Sequence, residues 1–217
     1  METLNRQTEM DSAIYKVVND FFTKTIAEYG PTAKGVDWNS ESAQEIRFNQ
    51  LIKVVDTSKP FSLNDYGCGY GALLDYCDGK GLDLRYLGYD IVQAMIDEAI
   101  KTHAHIKQAR FVCDSELSVV SDYSIACGVF NLKGPISNEK WTRYVCDSLR
   151  KIDQVSTKGF AFNLLTKYSD ADKMRPDLYY GDPCFYFDFC KQSFSRNVAL
   201  LHDYGQYEFT ILVQKLN

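Results

Sequence analysis

No run of lysine and arginine occurs in this sequence. Its 24 basic residues are outnumbered by 29 acidic ones, for a net charge of −5. Nucleic-acid binding rests on a basic stripe that neutralises phosphates and releases counterions, so a nucleic-acid partner is not expected and a small or uncharged ligand is. No pair among the seven cysteines has Cys-x-x-Cys spacing, which removes the common zinc arrangements. No metal site is expected, and the cysteines read as reduced thiols inside apolar runs. No stretch approaches the ~20 apolar residues that span a bilayer, and Met1 to Asp11 hold no apolar leader core. A cytoplasmic protein without a membrane partner is the expectation. There is no internal repeat or low-complexity tract, and nothing indicates an oligomeric state.

What is present is ordinary for a globular chain: 45% hydrophobic and 24% charged residues over 217 positions, enough for one domain with an extension. Ile14, Val17, Val18, Phe21, Phe22 and Ile26 recur at helical spacing, predicting an amphipathic helix over about 11 to 29 that Gly30-Pro31 ends. Ser40 is placed to cap a second helix with Ile46, Leu51, Val54 and Val55 on its apolar side. Residues 1–59 therefore read as a helical cap, and residues 60–217 as the main domain.

Beyond Pro60 strands and helices alternate. Strands are predicted at 61–66, 84–89, 111–112, 123–127 and 159–164, with helices at 71–77, 92–101 and 139–155 between them. Such alternation argues for an α/β fold with a parallel sheet covered on both faces. Two further strands, 198–204 and 207–215, flank Gly205-Gln206 as in a tight hairpin, so one closing strand must run antiparallel.

The most informative segment is Asp65-Tyr66-Gly67-Cys68-Gly69-Tyr70-Gly71, where a strand hands over to a helix. Glycine there permits positive φ and close approach of a ligand to the backbone, and the helix start offers free N–H groups. The Asp65 carboxylate repels a pyrophosphate and suits a ligand with an ammonium and a sulfonium. Acidic-x-Gly-x-Gly-x-Gly at this place resembles the first motif of the class I S-adenosylmethionine-dependent methyltransferases. The resemblance runs from about Phe61 to the end of the chain. It implies a Rossmann-like, seven-stranded, mostly parallel sheet with an antiparallel C-terminal hairpin behind the N-terminal helical extension, with S-adenosyl-L-methionine as cofactor.

Site residues follow from it. Asp65, Tyr66, Gly67, Cys68 and Gly69 form the cofactor loop. Asp90, about 20 residues on at the end of the next strand, is placed to accept ribose hydroxyls, with Ile91 and Met95 beside it. Asp114 corresponds to the family's contact with the adenine amino group. Cys127, Gly128 and Phe130 follow the fourth strand, beneath the cofactor and facing the substrate. Arg47 lies where several relatives place an arginine on the cofactor carboxylate, a geometry suited to its fork, and Trp38 is a candidate cover for the site.

The methyl acceptor is less legible. The stretch from Thr166 to Phe189 is long for a connection and interleaves Lys167, Tyr168, Lys173, Arg175, Tyr179, Tyr180, Phe185, Tyr186 and Phe187; it reads as a substrate lid or an aromatic mini-core. His103 and His105 read as surface residues, which leaves His202 as the candidate general base, with Tyr204 beside it. Asn131-Leu132-Lys133 stands where adenine and glutamine N-methyltransferases carry Asn-Pro-Pro-Tyr, and no paired cysteines suggest cytosine C5 chemistry. A small-molecule acceptor is the resulting expectation, O- or N-methylated, such as a sugar or a biosynthetic intermediate. Two alternatives stay open: an NAD(P)-dependent oxidoreductase, because Gly67-x-Gly69-x-x-Ala72 also fits the dinucleotide fingerprint, and a non-catalytic nucleoside-binding module on the same fold. Calorimetric titration separates the first: heat with S-adenosylmethionine and none with NADH is the expected pair of results.

Overall fold

A computed structural model describes residues 2–38 and 40–215, with side chains described from residue 12 onward. Helix α1 (Glu2–Tyr29) starts earlier than its apolar spacing announces, because its first turns carry helix-compatible polar residues that leave no periodic mark. It ends at Gly30, whose N–H donates to the Ile26 carbonyl at 2.9 Å and whose φ of 65° turns the chain out of the helix. Helix α2 (Glu41–Leu51) opens with the Ser40 Oγ accepting from the Ala43 N–H at 3.1 Å. Its buried face is Gln44, Arg47, Phe48 and Leu51. Ile46, expected inside, is only half-buried, and a charged residue takes the inner position instead.

The described residues then form one sheet. Its strands are β1 (Phe61–Tyr66), β2 (Leu84–Asp90), β3 (Ala109–Cys113), β4 (Ser121–Ala126), β5 (Ser156–Thr166), β7 (Asn197–Leu201) and β8 (Glu208–Gln214), in the order β3-β2-β1-β4-β5-β8-β7, with the two-residue β6 (Tyr180–Gly181) pairing β5. Neighbours from β3 through β5 pair in parallel, and β8 runs antiparallel to both β5 and β7. The β7–β8 register would bring Gly205 and Gln206 to a two-residue tip. Pairing nevertheless stops at Leu201↔Thr210, and the Tyr204 hydroxyl turns to Thr210 Oγ1 at 3.0 Å. The expected tight hairpin is thus an open loop.

Strand alternation sorts the core into two layers. On β5, Phe160, Phe162 and Leu164 join one cluster with α5 (Asn138–Gln154) and α6 (Pro183–Ser193), through Trp141, Leu149 and Tyr186. Ala161 points the other way, to α2, α3 (Ala72–Gly79) and α4 (Gln93–Thr102) through Leu51, Leu74 and Ile96. Helix α6 is not signalled as a helix by the sequence. Tyr179 and Tyr186 are buried in the core, whereas Tyr168 and Phe185 of the same stretch are exposed, so the segment is only in part the aromatic mini-core that is the alternative to a lid.

His103 corrects another expectation. It is buried, with Nδ1 bonded to the Ala99 carbonyl and Nε2 to Asp75, each at 2.9 Å. The ring packs under the glycine turn, where a Cβ on Gly71 would lie 2.6 Å from His103 Cε1. Burial opposes its charge, but the bonds to Asp75 and Ala99 outweigh it and raise the pKa. A raised histidine stabilises the fold below its unfolded value of about 6.5, and that contribution is lost as pH rises through the folded value. Asp75→Asn should therefore lower the thermal midpoint at acidic pH, and the gap to the parent should close toward alkaline pH.

Candidate active site

The three acidic strand ends of the sequence converge. The C-terminal ends of β1, β2 and β3 lie side by side, and one cavity runs along them. Asp65, Tyr66, Gly67, Cys68 and Gly69 line it, as do Asp90, Ile91, Met95, Asp114, Cys127, Gly128 and Trp38. Val18 and Phe22 of α1 also reach it, so the N-terminal helix forms part of the wall.

The loop itself requires glycine. Gly67, Gly69 and Gly71 all have positive φ, and a Cβ on Gly67 would sit 2.2 Å from Val129 Cγ2. Asp90 holds the loop to the next helix: Oδ2 accepts from the Gly69 N–H and Oδ1 from the Val92 N–H, each at 2.9 Å. Burial raises its pKa, and those N–H donors oppose the rise. Asp65 is only 2% exposed. Burial pushes its carboxyl up to about 7, although Tyr86 donates to its Oδ2 at 2.5 Å, and the negative Asp90 adds to the rise. Among the described residues no group donates to Asp65 Oδ1. Cys127 is no nucleophile here, because burial and the Glu208 charge hold its thiol far above the ordinary range.

Other expected residues stand elsewhere. Phe130 is fully buried in the core, and its carbonyl accepts from the Trp141 indole at 2.8 Å. Its side chain packs with Tyr66, Tyr144 and Phe162 and does not line the cavity. Arg47, expected on a cofactor carboxylate, is taken up by Glu208: Nε donates to Oε2 at 2.8 Å and Nη2 to Oε1 at 2.6 Å. Its Nη1 reaches the Ala43 carbonyl at 2.6 Å. The fork is therefore occupied by the protein's own carboxylate. His202 is exposed, with its ring tilted against Tyr168 and edge-to-face with Phe209, and Tyr204 points to Thr210. Neither lines a cavity described here.

A second cavity adjoins the first across Trp38 and Gly128, which line both. The Arg47 guanidinium lies 4.0 Å from the Trp38 ring centre, and a Cβ on Gly128 would meet the indole at 2.3 Å. Glu208, Arg47 and Asn131 line this second space, with Lys173, Arg175 and Tyr180 from the segment before α6. That segment is a fastened wall: the Lys133 and Gly134 N–H groups donate to the Asp177 carbonyl at 3.0 and 2.9 Å, and the Tyr179 N–H to the Asn131 carbonyl at 2.8 Å. Arg175 joins it to Asp37 at 3.1 Å. Glu208 and Asn163 escaped sequence reading because they sit in apolar strands, and Asn131 stands out there only as the start of a segment that lacks the Asn-Pro-Pro-Tyr motif. Among the described residues no group of three His, Cys, Asp or Glu side chains is placed to hold a metal, and no helix is long and apolar enough to cross a membrane.

No family profile matches the chain. A protein of Mycobacterium tuberculosis (strain ATCC 25618 / H37Rv), provisionally named a methyltransferase, is 47% identical over 164 residues, covering 76% of this chain and 99% of that protein. Human N-acetylserotonin methyltransferase in complex with S-adenosylmethionine superposes with a TM-score of 0.60 at 16% identity over 95% of this chain, which spans only 59% of the human chain. The Burkholderia thailandensis 1,6-didemethyltoxoflavin-N1-methyltransferase, bound to 1,6-didemethyltoxoflavin and S-adenosylhomocysteine, gives 0.65 at 17% identity over 93% and 88% of the two chains. At such identities the likeness to these two structures is one of fold.

Removing one member of the Arg47–Glu208 pair leaves a charge without its partner in a site where the side chains are 8% and 0% exposed. Arg47→Ala should cost about 3–5 kcal/mol of stability, read by denaturant unfolding. The double change Arg47→Met with Glu208→Leu should recover most of it.

Proposed function

The chain belongs to the class I S-adenosylmethionine-dependent methyltransferases, and from that premise we propose that it methylates a small-molecule acceptor held in the second cavity. The observation that carries the reading is Asp65, a buried carboxylate with one oxygen unengaged, lining the cavity under the glycine loop. An anion in that position is a cost to the free protein, offset when a cationic group arrives. The residues present fit the cofactor: Asp65 would face its cationic amino-acid end, Asp90 its ribose hydroxyls and Asp114 its adenine amino group. When bound, S-adenosylmethionine supplies an electrophilic methyl group on a sulfonium.

The chain's own part is then to orient and to exclude water. Residues 1–59 act as the cap, with Phe22 and Trp38 closing over the site. Trp38, held between Arg47 and Gly128, sets the boundary across which the acceptor approaches. Methyl transfer needs a nucleophile held in line at contact distance. No histidine lines either cavity among the described residues, and Glu208 is fully engaged by Arg47 and Asn163. That supports an acceptor atom already carrying a free lone pair at neutral pH, such as a ring nitrogen, over a neutral alcohol that requires a base. The N1-methylation named for the Burkholderia neighbour is of that kind.

The Asp65 pKa of about 7 gives the test. Its folded value lies above the unfolded one, so ionisation as pH rises through about 7 costs the free protein stability. The same ionisation favours a cationic ligand. Affinity for S-adenosylmethionine should rise about tenfold per pH unit up to about 7 and then level off, with proton release on binding seen as a buffer-dependent enthalpy. Asp65→Asn should weaken binding and flatten the profile; an unchanged profile in that variant would remove Asp65 from the site.

A further inference from the structure

Asn131 carries an uncommitted hydrogen-bond donor in the second cavity. The residue is 9% exposed. Its Oδ1 accepts from the Leu165 N–H at 3.2 Å, which fixes which end of the amide is nitrogen. Its backbone carbonyl accepts from Tyr179 at 2.8 Å, so the residue is pinned where the loop after β4 meets the wall before α6. Among the described residues no acceptor takes either N–H of Nδ2, and Asn131 lines the cavity. Nδ2 is not one of the fully buried atoms that lack a partner, so it opens onto the cavity, where a ligand oxygen can take its N–H groups.

The surrounding groups have the same sense. The Tyr180 hydroxyl accepts from the Arg175 N–H at 2.8 Å, and among the described residues no group takes its own proton. Lys173 adds a cation at the rim, where its pairing with Asp172 at 3.3 Å is largely exposed and weak for that reason. The Ser169 hydroxyl proton is spent on the Thr166 carbonyl at 2.7 Å. Of the lining carboxylates, Glu208 is held by Arg47 and Asn163, and Asp37 by Arg175. The groups left open to a ligand are mainly donors, set among the apolar side chains of Leu132, Leu165 and Leu178.

Resting on the assignment of this cavity to the acceptor, we propose that Asn131 selects methyl acceptors bearing an acceptor-only oxygen, a carboxylate or a carbonyl, on an otherwise carbon-rich framework. Asn131 is a specificity residue: Nδ2 donates to that oxygen and so turns the acceptor toward Trp38 and the glycine-loop cavity.

The test uses the full chain saturated with S-adenosylhomocysteine and three simple probes: benzoate, benzamide and benzylamine. With the protein ¹⁵N-labelled at asparagine, benzoate or benzamide should shift the Asn131 side-chain amide signal, identified by its loss in Asn131→Asp, and benzylamine should not. The relative response to benzoate and benzamide tells carboxylate from neutral carbonyl. Asn131→Asp keeps the oxygen that Leu165 needs and replaces the donor with an anion. It should lose about tenfold or more in benzoate affinity while binding S-adenosylhomocysteine as the parent does. Equal benzoate binding in parent and variant, a parent preference for benzylamine, or no shift by either oxygen probe at millimolar concentration would overturn the inference. Failure of the parent to bind S-adenosylhomocysteine would instead count against the methyltransferase reading itself.

Discussion

A guanidinium and a carboxylate shielded from water tie the N-terminal helices to the last strand. Arg47 on α2 and Glu208 at the start of β8 are 161 residues apart, yet they meet in a two-pronged contact. The pair does not stand alone. Asn163 of β5 donates to Glu208 Oε2 at 2.6 Å, and its Oδ1 accepts from the Gly128 N–H at 2.7 Å. Arg47 in turn carries Trp38 on its face. One connected network therefore fixes α2, the closing strand, the loop after β4 and the indole between the cavities. Buried ion pairs are poor sources of net stability, since desolvation consumes most of the attraction. The gain here is positional: each charge is satisfied in only one arrangement of four segments.

That constraint explains why Arg47 is unavailable to a cofactor carboxylate, the partner expected for it from the sequence. The identity of a residue near a motif does not determine its partner, which depends on what other charge the fold buries nearby. Glu208 supplies that charge, and it lies at the far end of the chain, inside a strand that reads as apolar. Only the paired structure of β5 and β8 brings it within reach of α2.

How much was legible follows from how local each signal is. β1 is delimited residue for residue by its apolar run and the glycines that follow, and the acids at 65, 90 and 114 lie at successive strand ends as their spacing requires. These are properties of short windows. Helix α6 was not legible, because Phe185, Tyr186, Phe187 and Phe189 crowd four aromatics into five positions and blur any helical period. His103 was misplaced for a different reason. A helix end far from the ligand edge is ordinarily solvated, but this one turns under the glycine loop, and the absent Gly71 side chain makes room for the ring. Phe130 was misplaced by a single turn of backbone: Gly128 at positive φ redirects the chain after β4, so Val129 faces the glycine loop and Phe130 the core.

The two cavities also differ in charge, the first lined, among the described residues, by carboxylates without cations and the second by cations of which Arg47 and Arg175 are paired with Glu208 and Asp37, and the difference has a structural origin. Acids gather at the ends of the parallel strands, where Asp65, Asp90 and Asp114 line the first space. Cations come from outside the parallel sheet: Arg47 from α2, Lys173 and Arg175 from the wall before α6, all lining the second. Gly128 and Trp38 stand between, and the indole is an apolar divider whose own position is set by a cation beneath it. Separation of this kind keeps the Asp65 carboxylate remote from Lys173 and Arg175, which do not figure among the causes of its shifted pKa. Had those cations lain in the first space, Asp65 would be an ordinary ionised acid with a partner, and its charge would no longer be held back for a ligand.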